Sequence, residues 1–86
     1  MNQAIQFPDR EEWDSTINKV RFPVLVNGLL AECVISQALL NQRYGQDEKP
    51  LALFQHNRWD IEEEFETLIE RGLDHENGFY ELLDDK

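Results

Sequence analysis

A single cysteine, Cys33, rules out a disulfide within the chain and any zinc site built on cysteine pairs. A lone thiol with no partner fits a reducing compartment, so a cytoplasmic protein is expected. Basic side chains are scarce, eight against eighteen acidic ones, for a net charge of −10. A field of that sign repels phosphate, which disfavours nucleic acid and anionic membrane surfaces as partners. No apolar run is long enough to span a bilayer, and Met1 is not followed by a basic and then an apolar leader segment. Phosphate-cradling glycine loops, H-E-x-x-H and cysteine pairs are all missing. The two histidines, His56 and His75, have no spacing that recruits a nucleophile, and nothing points to a base for Ser36 or Cys33. No catalytic residue, cofactor or metal is therefore assigned, and a non-enzyme is expected.

What is present begins with two apolar runs, Val20 to Val26 and Leu29 to Ile35, joined by Asn27-Gly28. Asn-Gly between alternating hydrophobics signals a two-residue hairpin, because both positions of a type I′ turn need positive φ. The register then pairs Val26 with Leu29, Val24 with Ala31, Phe22 with Cys33 and Val20 with Ile35. These eight residues share one face, expected to be the core face, and Cys33 reads as a small core hydrophobe. Arg21, Pro23, Leu25, Leu30, Glu32 and Val34 form a mixed opposite face. Pro23 falls opposite Glu32 at a non-hydrogen-bonded site, so its missing N–H points away from the second strand. The stretch around Pro23 is then an edge, or the place where pairing to a first strand stops.

Ala4 to Phe7 reads as a short strand closed by Pro8. Asp9-x-x-Glu12 predicts one capped helical turn carrying Trp13, or a loop. Ser36 is the N-cap of a short helix, Gln37 to Tyr44, ended by Gly45. Asp47 to Pro50 opens a longer helix whose apolar stripe is Leu51, Phe54, Ile61, Phe65, Leu68 and Ile69, with Gly72 as its stop. Asp60-x-x-Glu63 allows a break near Asn57, but the stripe holds phase across it, so one continuous helix is expected. Asn77-Gly78 predicts a turn and Phe79 to Leu83 a last strand, followed by a fraying acidic tail. The sum is one domain over residues 1–86, a two-layer α+β fold in the order β-β-β-α-α-β. An antiparallel sheet built on the hairpin packs against one long helix, and the last strand returns to the sheet or packs beside it.

Four stretches, MNQAIQFPDREEWD, FPVLVNG, CVIS and RWDIEEE, occur in this order. Together they resemble the YrdB-like family of small proteobacterial proteins, whose function is unknown. The resemblance covers most of the chain and implies a compact α+β domain. It implies no substrate, cofactor or catalytic residue.

The candidates for function lie on the long helix. Residues 47–86 hold thirteen acidic and four basic residues, a net of −9, whereas residues 1–46 have a net of −1. Trp59 lies opposite the apolar stripe among Gln55, Glu62, Glu63, Glu66 and Glu70. Cover by the N-terminal segment near Trp13 or by the last strand is the expected arrangement, and an exposed Trp59 would mark an interface. Arg58 falls inside the stripe and must find acceptors, with Asp9, Asp14 and Glu62 the candidates. The alternative is an anion or carboxylate anchor in a groove. Glu62, Glu63, Glu64, Glu66 and Glu70 read first as a solvated face. His56, Asp60 and Glu63 have a metal-like spacing that any glutamate-rich helix offers, and no metal is assigned to them. The candidate interaction residues are thus Arg58, Trp59, Glu62, Glu63 and Glu66. A cytoplasmic protein-interaction or adaptor module with a protein partner follows, and a homodimer is compatible with it. The alternatives are an acidic decoy of nucleic-acid-binding surfaces and a small ligand-binding protein.

Overall fold

Val26 and Leu29 flank a turn in which Asn27 has φ 54° and Gly28 φ 85°, the two positive values that a type I′ hairpin requires. A computed structural model describes residues 4–72 and 79–82. Within them the chain runs β1 (Ile5–Gln6), β2 (Glu12–Asp14), β3 (Lys19–Val26), β4 (Leu29–Ser36), α1 (Gln37–Tyr44), α2 (Pro50–His56), α3 (Arg58–Glu70) and β5 (Phe79–Leu82). The fold is α+β, one five-stranded sheet and three helices. The hairpin register is the expected one from Val26–Leu29 to Val20–Ile35. The turn also anchors the first strand, since Ala4 N–H donates to Asn27 Oδ1 (3.0 Å) and Asn27 N–H to the Ala4 carbonyl (2.8 Å).

The core is the inner face of this hairpin closed by helices. Val20, Phe22, Val24, Cys33 and Ile35 are buried against Leu39, Leu40, Leu53, Phe54, Ile61, Phe65 and Ile69. Phe22 lies at its centre, 4.6 Å from the ring of Phe54 and 5.0 Å from that of Phe65. Burial pushes the Cys33 thiol well above its ordinary pKa, with the Glu32 charge adding to the effect, so it stays protonated. Burial fails only at the hairpin tip. Leu29, expected on the core face, is 74% exposed beside the turn; Val26 and Ala31 are partly buried.

Three differences from the sequence expectation matter for the site. The first is that the segment from Asp9 forms no helical turn. Glu12–Asp14 pairs with β3 as β2, which sets Trp13 opposite Val20 on the core face. Alternation at Glu12, Trp13 and Asp14 has period two, and pairing to an available strand outweighs a weak capping pattern. β1 meets β3 at Leu25 and Val26, and β2 meets it at Lys19 to Arg21. Pairing stops around Pro23, so residues 7–11 bulge off the sheet, five residues opposite three.

The second difference is that the long helix is broken. Asn57 has φ −116° and ψ 25°, and its side-chain amide donates to the Leu53 carbonyl at 2.9 Å, ending α2 before α3 begins. The stripe nevertheless stays in phase, with Phe54, Ile61, Phe65 and Ile69 all buried and Leu51 and Leu68 packed against them. The third is that the sheet is mixed: β5 pairs in parallel with β4, Glu32 opposite Phe79 through Ile35 opposite Leu82. A parallel neighbour needs a long crossover, and the helical layer supplies it. The element order is therefore four strands, three helices and one strand. The predicted Asn77-Gly78 turn, His75, Leu83 and the acidic tail lie outside the described residues.

Ser36 caps α1 as expected, accepting from Leu39 N–H at 3.1 Å, and Gly45 closes it at φ 94°. At Gly28 an added Cβ would meet nothing within 4 Å. Gly28→Ala therefore isolates the backbone cost of positive φ and should lower stability by about 1–2 kcal/mol in urea titration. An unchanged midpoint would mean that the turn does not constrain the hairpin.

Candidate functional site

Two irregularities of the backbone, the bulge over Pro23 and the break at Asn57, meet at Arg58. The first residue of α3, Arg58 points into the apolar stripe, where its guanidinium lies 5.4 Å from the centre of the Phe54 ring. Its side chain is only 17% exposed, so its donors must be met by protein. Nε donates to Glu62 Oε2 at 2.7 Å, Nη1 to Glu11 Oε1 at 2.6 Å, and Nη2 reaches the Pro8 carbonyl at 3.1 Å and Asp9 Oδ1 at 3.0 Å. Gln55 Nε2 donates to the other oxygen of Glu11 at 3.0 Å. The bulge is thus fastened across the α2–α3 junction.

Asp9 and Glu62 are the acceptors that the sequence offered. Asp14 is not, because it lies on the outer face of the sheet. There Arg21 Nη1 donates to Asp14 Oδ2 at 2.9 Å, and the Arg21 fork holds Glu32 at 2.9 and 3.0 Å. Glu11 was not singled out from the sequence. Its only signal is its place beside Pro8 and Asp9, in the segment that the interrupted pairing forces outward. Burial of Glu11 works against its charge, but hydrogen bonds from Arg58, its own backbone and Gln55 outweigh it and hold the carboxyl below its ordinary value. Glu62 is shifted upward, by burial first and by the nearby charges of Asp9 and Glu66, with Arg58 opposing. With three carboxylates and a carbonyl already on its guanidinium, Arg58 is a structural tie rather than an open anion anchor.

Trp59 is the opposite case. It is 85% exposed, and the expected cover is absent. Trp13 faces the core across from Val20, and β5 lies beside β4 at the other margin of the sheet. Helical geometry explains the rest, since a residue two before the buried Ile61 lies roughly 200° around the helix and must face out. Trp59 lies between two surface hollows. One, of about 390 Å³, includes Gln55, His56, Asn57 and Asp60; the other, of about 360 Å³, is formed by Trp59 with Glu62, Glu63 and Glu66.

The acidic run is not uniform. Glu62 is held by Arg58, and Glu64 is paired with Arg43 of α1. Asp60, Glu63 and Glu66 have no ion-pair partner among the described residues. His56 lies before the break, with Nδ1 2.8 Å from Glu48 Oε1, so it does not share one continuous helix with Asp60 and Glu63. No group of three His, Cys, Asp or Glu side chains suited to a metal occurs among the described residues. A further hollow of about 490 Å³ opens beside Pro23 on the sheet, between Arg10, Phe22, Leu30 and Glu32.

Arg58→Ala should cost about 2–3 kcal/mol in chemical denaturation, because it strands Glu11 and Glu62 in partly buried places. Arg58→Lys, which keeps the charge but loses the fork, should recover less than half of that. Full recovery by lysine would reduce the tie to charge alone. Acidification follows from the depressed value of Glu11. Its contribution is complete above pH 4.5, its ordinary value, and is lost as the pH falls through the lower native one. Glu11→Gln should flatten the fall in melting temperature below about pH 4.5. An acid limb as steep as that of the parent protein would deny Glu11 this role.

Comparison with known proteins agrees with the motifs of the N-terminal segment, the hairpin and α3. A family described as "Protein of unknown function (DUF1488)" matches residues 5–82. The chain is 51% identical over 81 residues to the "Uncharacterized protein YrdB" of Escherichia coli (strain K12), covering 92% of this chain and 95% of that one. It is 49% identical, with the same coverage, to the protein of that name in Shigella flexneri. The fold is similar to the crystal structure of a protein of unknown function of the DUF1488 family from Shewanella loihica PV-4. The TM-score is 0.86 at 31% identity, covering 95% of this chain and 94% of that one. The chain belongs to the DUF1488 family of proteins of unknown function.

Proposed function

We propose that this protein is a small protein-interaction module whose contact surface is the outer side of α3 around Trp59. The observation that carries this reading is the 85% exposure of Trp59 in a domain that buries or partly covers its five phenylalanines and its other tryptophan. Tryptophan is enriched at the centres of interfaces, and a small domain gains nothing in stability by leaving one in water. The Arg58 tie serves this surface by fixing the first turn of α3, on which Trp59 sits. A ligand-binding reading has less support, since the hollow containing His56 and Arg58 offers a guanidinium that is already engaged. A cytoplasmic location is part of the proposal, resting on the buried, unpaired Cys33. No helix among the described residues is long and apolar enough to cross a membrane.

Trp59→Ala should leave the melting temperature within about 2–4 °C of the parent protein, as exposed substitutions do. The same variant should lose a protein that the parent captures from native lysate, identified by mass spectrometry. A large fall in melting temperature, or unchanged capture, would remove Trp59 from the contact surface.

A further inference from the structure

The partner of the Trp59 surface can be named by its chemistry. We propose that this surface receives an arginine-bearing basic segment of another protein, with a guanidinium seated on Trp59 and paired to Glu63 or Glu66. This rests on the interaction reading above and adds the partner's class to it.

Charge on α3 is sorted by position. Two glutamates are paired within the molecule, Glu62 with Arg58 and Glu64 with Arg43, although Glu62 also borders the hollow beside Trp59. Glu63 and Glu66, on the side of Trp59, have no ion-pair partner among the described residues. Glu63 is one turn on from Trp59 and Glu66 two turns on, so the three line one side of the helix and bound the same hollow of about 360 Å³. Asp60 extends the acidic rim on the other side of the indole. Like charges at this spacing cost α3 stability, and among the described residues no lysine or arginine offsets them. An exposed indole among carboxylates is a complementary seat for a cation, because the ring face attracts positive charge and the carboxylates complete the pairing.

Arginine fits better than lysine. Its planar guanidinium stacks on an indole while its fork engages a carboxylate, and it is shed from water more readily than an ammonium. A second copy of this chain fits poorly on the same surface, since each copy carries a net charge of −10 and most of it lies in residues 47–86.

The test uses the full chain and a fluorescently labelled helical peptide carrying three arginines at four-residue spacing, with lysine and citrulline versions as controls. Anisotropy should show binding that weakens steeply with salt, with the arginine peptide ahead of the lysine one and the citrulline peptide at least tenfold weaker. Trp59→Ala, and separately the double variant Glu63→Gln/Glu66→Gln, should each weaken binding by about fivefold or more. The indole N–H resonance of Trp59 should shift on titration. Equal binding of the citrulline peptide, or affinity unchanged in both variants, overturns the proposal. So does a dimer in sedimentation that Trp59→Ala dissolves. A lysate partner whose capture needs Trp59 but survives the double variant overturns the cationic class while the interaction module stands. Loss of Trp59 dependence altogether overturns both.

Discussion

Arg58 joins the two layers where each is interrupted. The sheet loses a stretch of pairing at Pro23, and the helical layer loses continuity at Asn57. Placed together they are complementary, because the unpaired residues 7–11 carry the carbonyl and carboxylates that a partly buried guanidinium requires. One side chain at the start of α3 therefore fixes the bulge, the junction between helices and the direction in which α3 leaves it.

Much of this was legible because the hairpin is specified locally. Asn27-Gly28 sets the turn, period two sets the face, and the register follows without knowledge of the rest of the fold. Ser36, Gly45 and the apolar stripe of the helices act over a few residues in the same way. Glu12–Asp14 is not legible as a strand because three residues contain too little pattern, and only a neighbouring strand makes them one. β5 posed the same problem in another form, since no feature of Phe79 to Leu82 encodes parallel pairing. That direction is set by where the helices deliver the chain.

The site was half legible for related reasons. The wheel position of Arg58 showed that it needed acceptors, and Asp9 and Glu62 were found by charge. Glu11 was hidden because its role depends on the bulge, which exists only once both β1 and β2 have paired with β3. Trp59 posed the reverse difficulty. Its outward direction could be counted from Ile61, but whether another segment covered it is a property of the assembled domain.

The parallel pairing of β4 with β5 sets an order on folding. Glu32 and Phe79 are neighbours in the sheet but lie 47 residues apart in the chain, whereas β3 and β4 meet across a two-residue turn. Contacts of such different separation carry very different loop-closure entropies. The hairpin can form while the helices are still being synthesised, but one flank of β4 stays open until the ribosome has released Leu82. Until then the backbone groups of β4 on that side, with Cys33 and Ile35 beneath them, are a free template for strands of other chains.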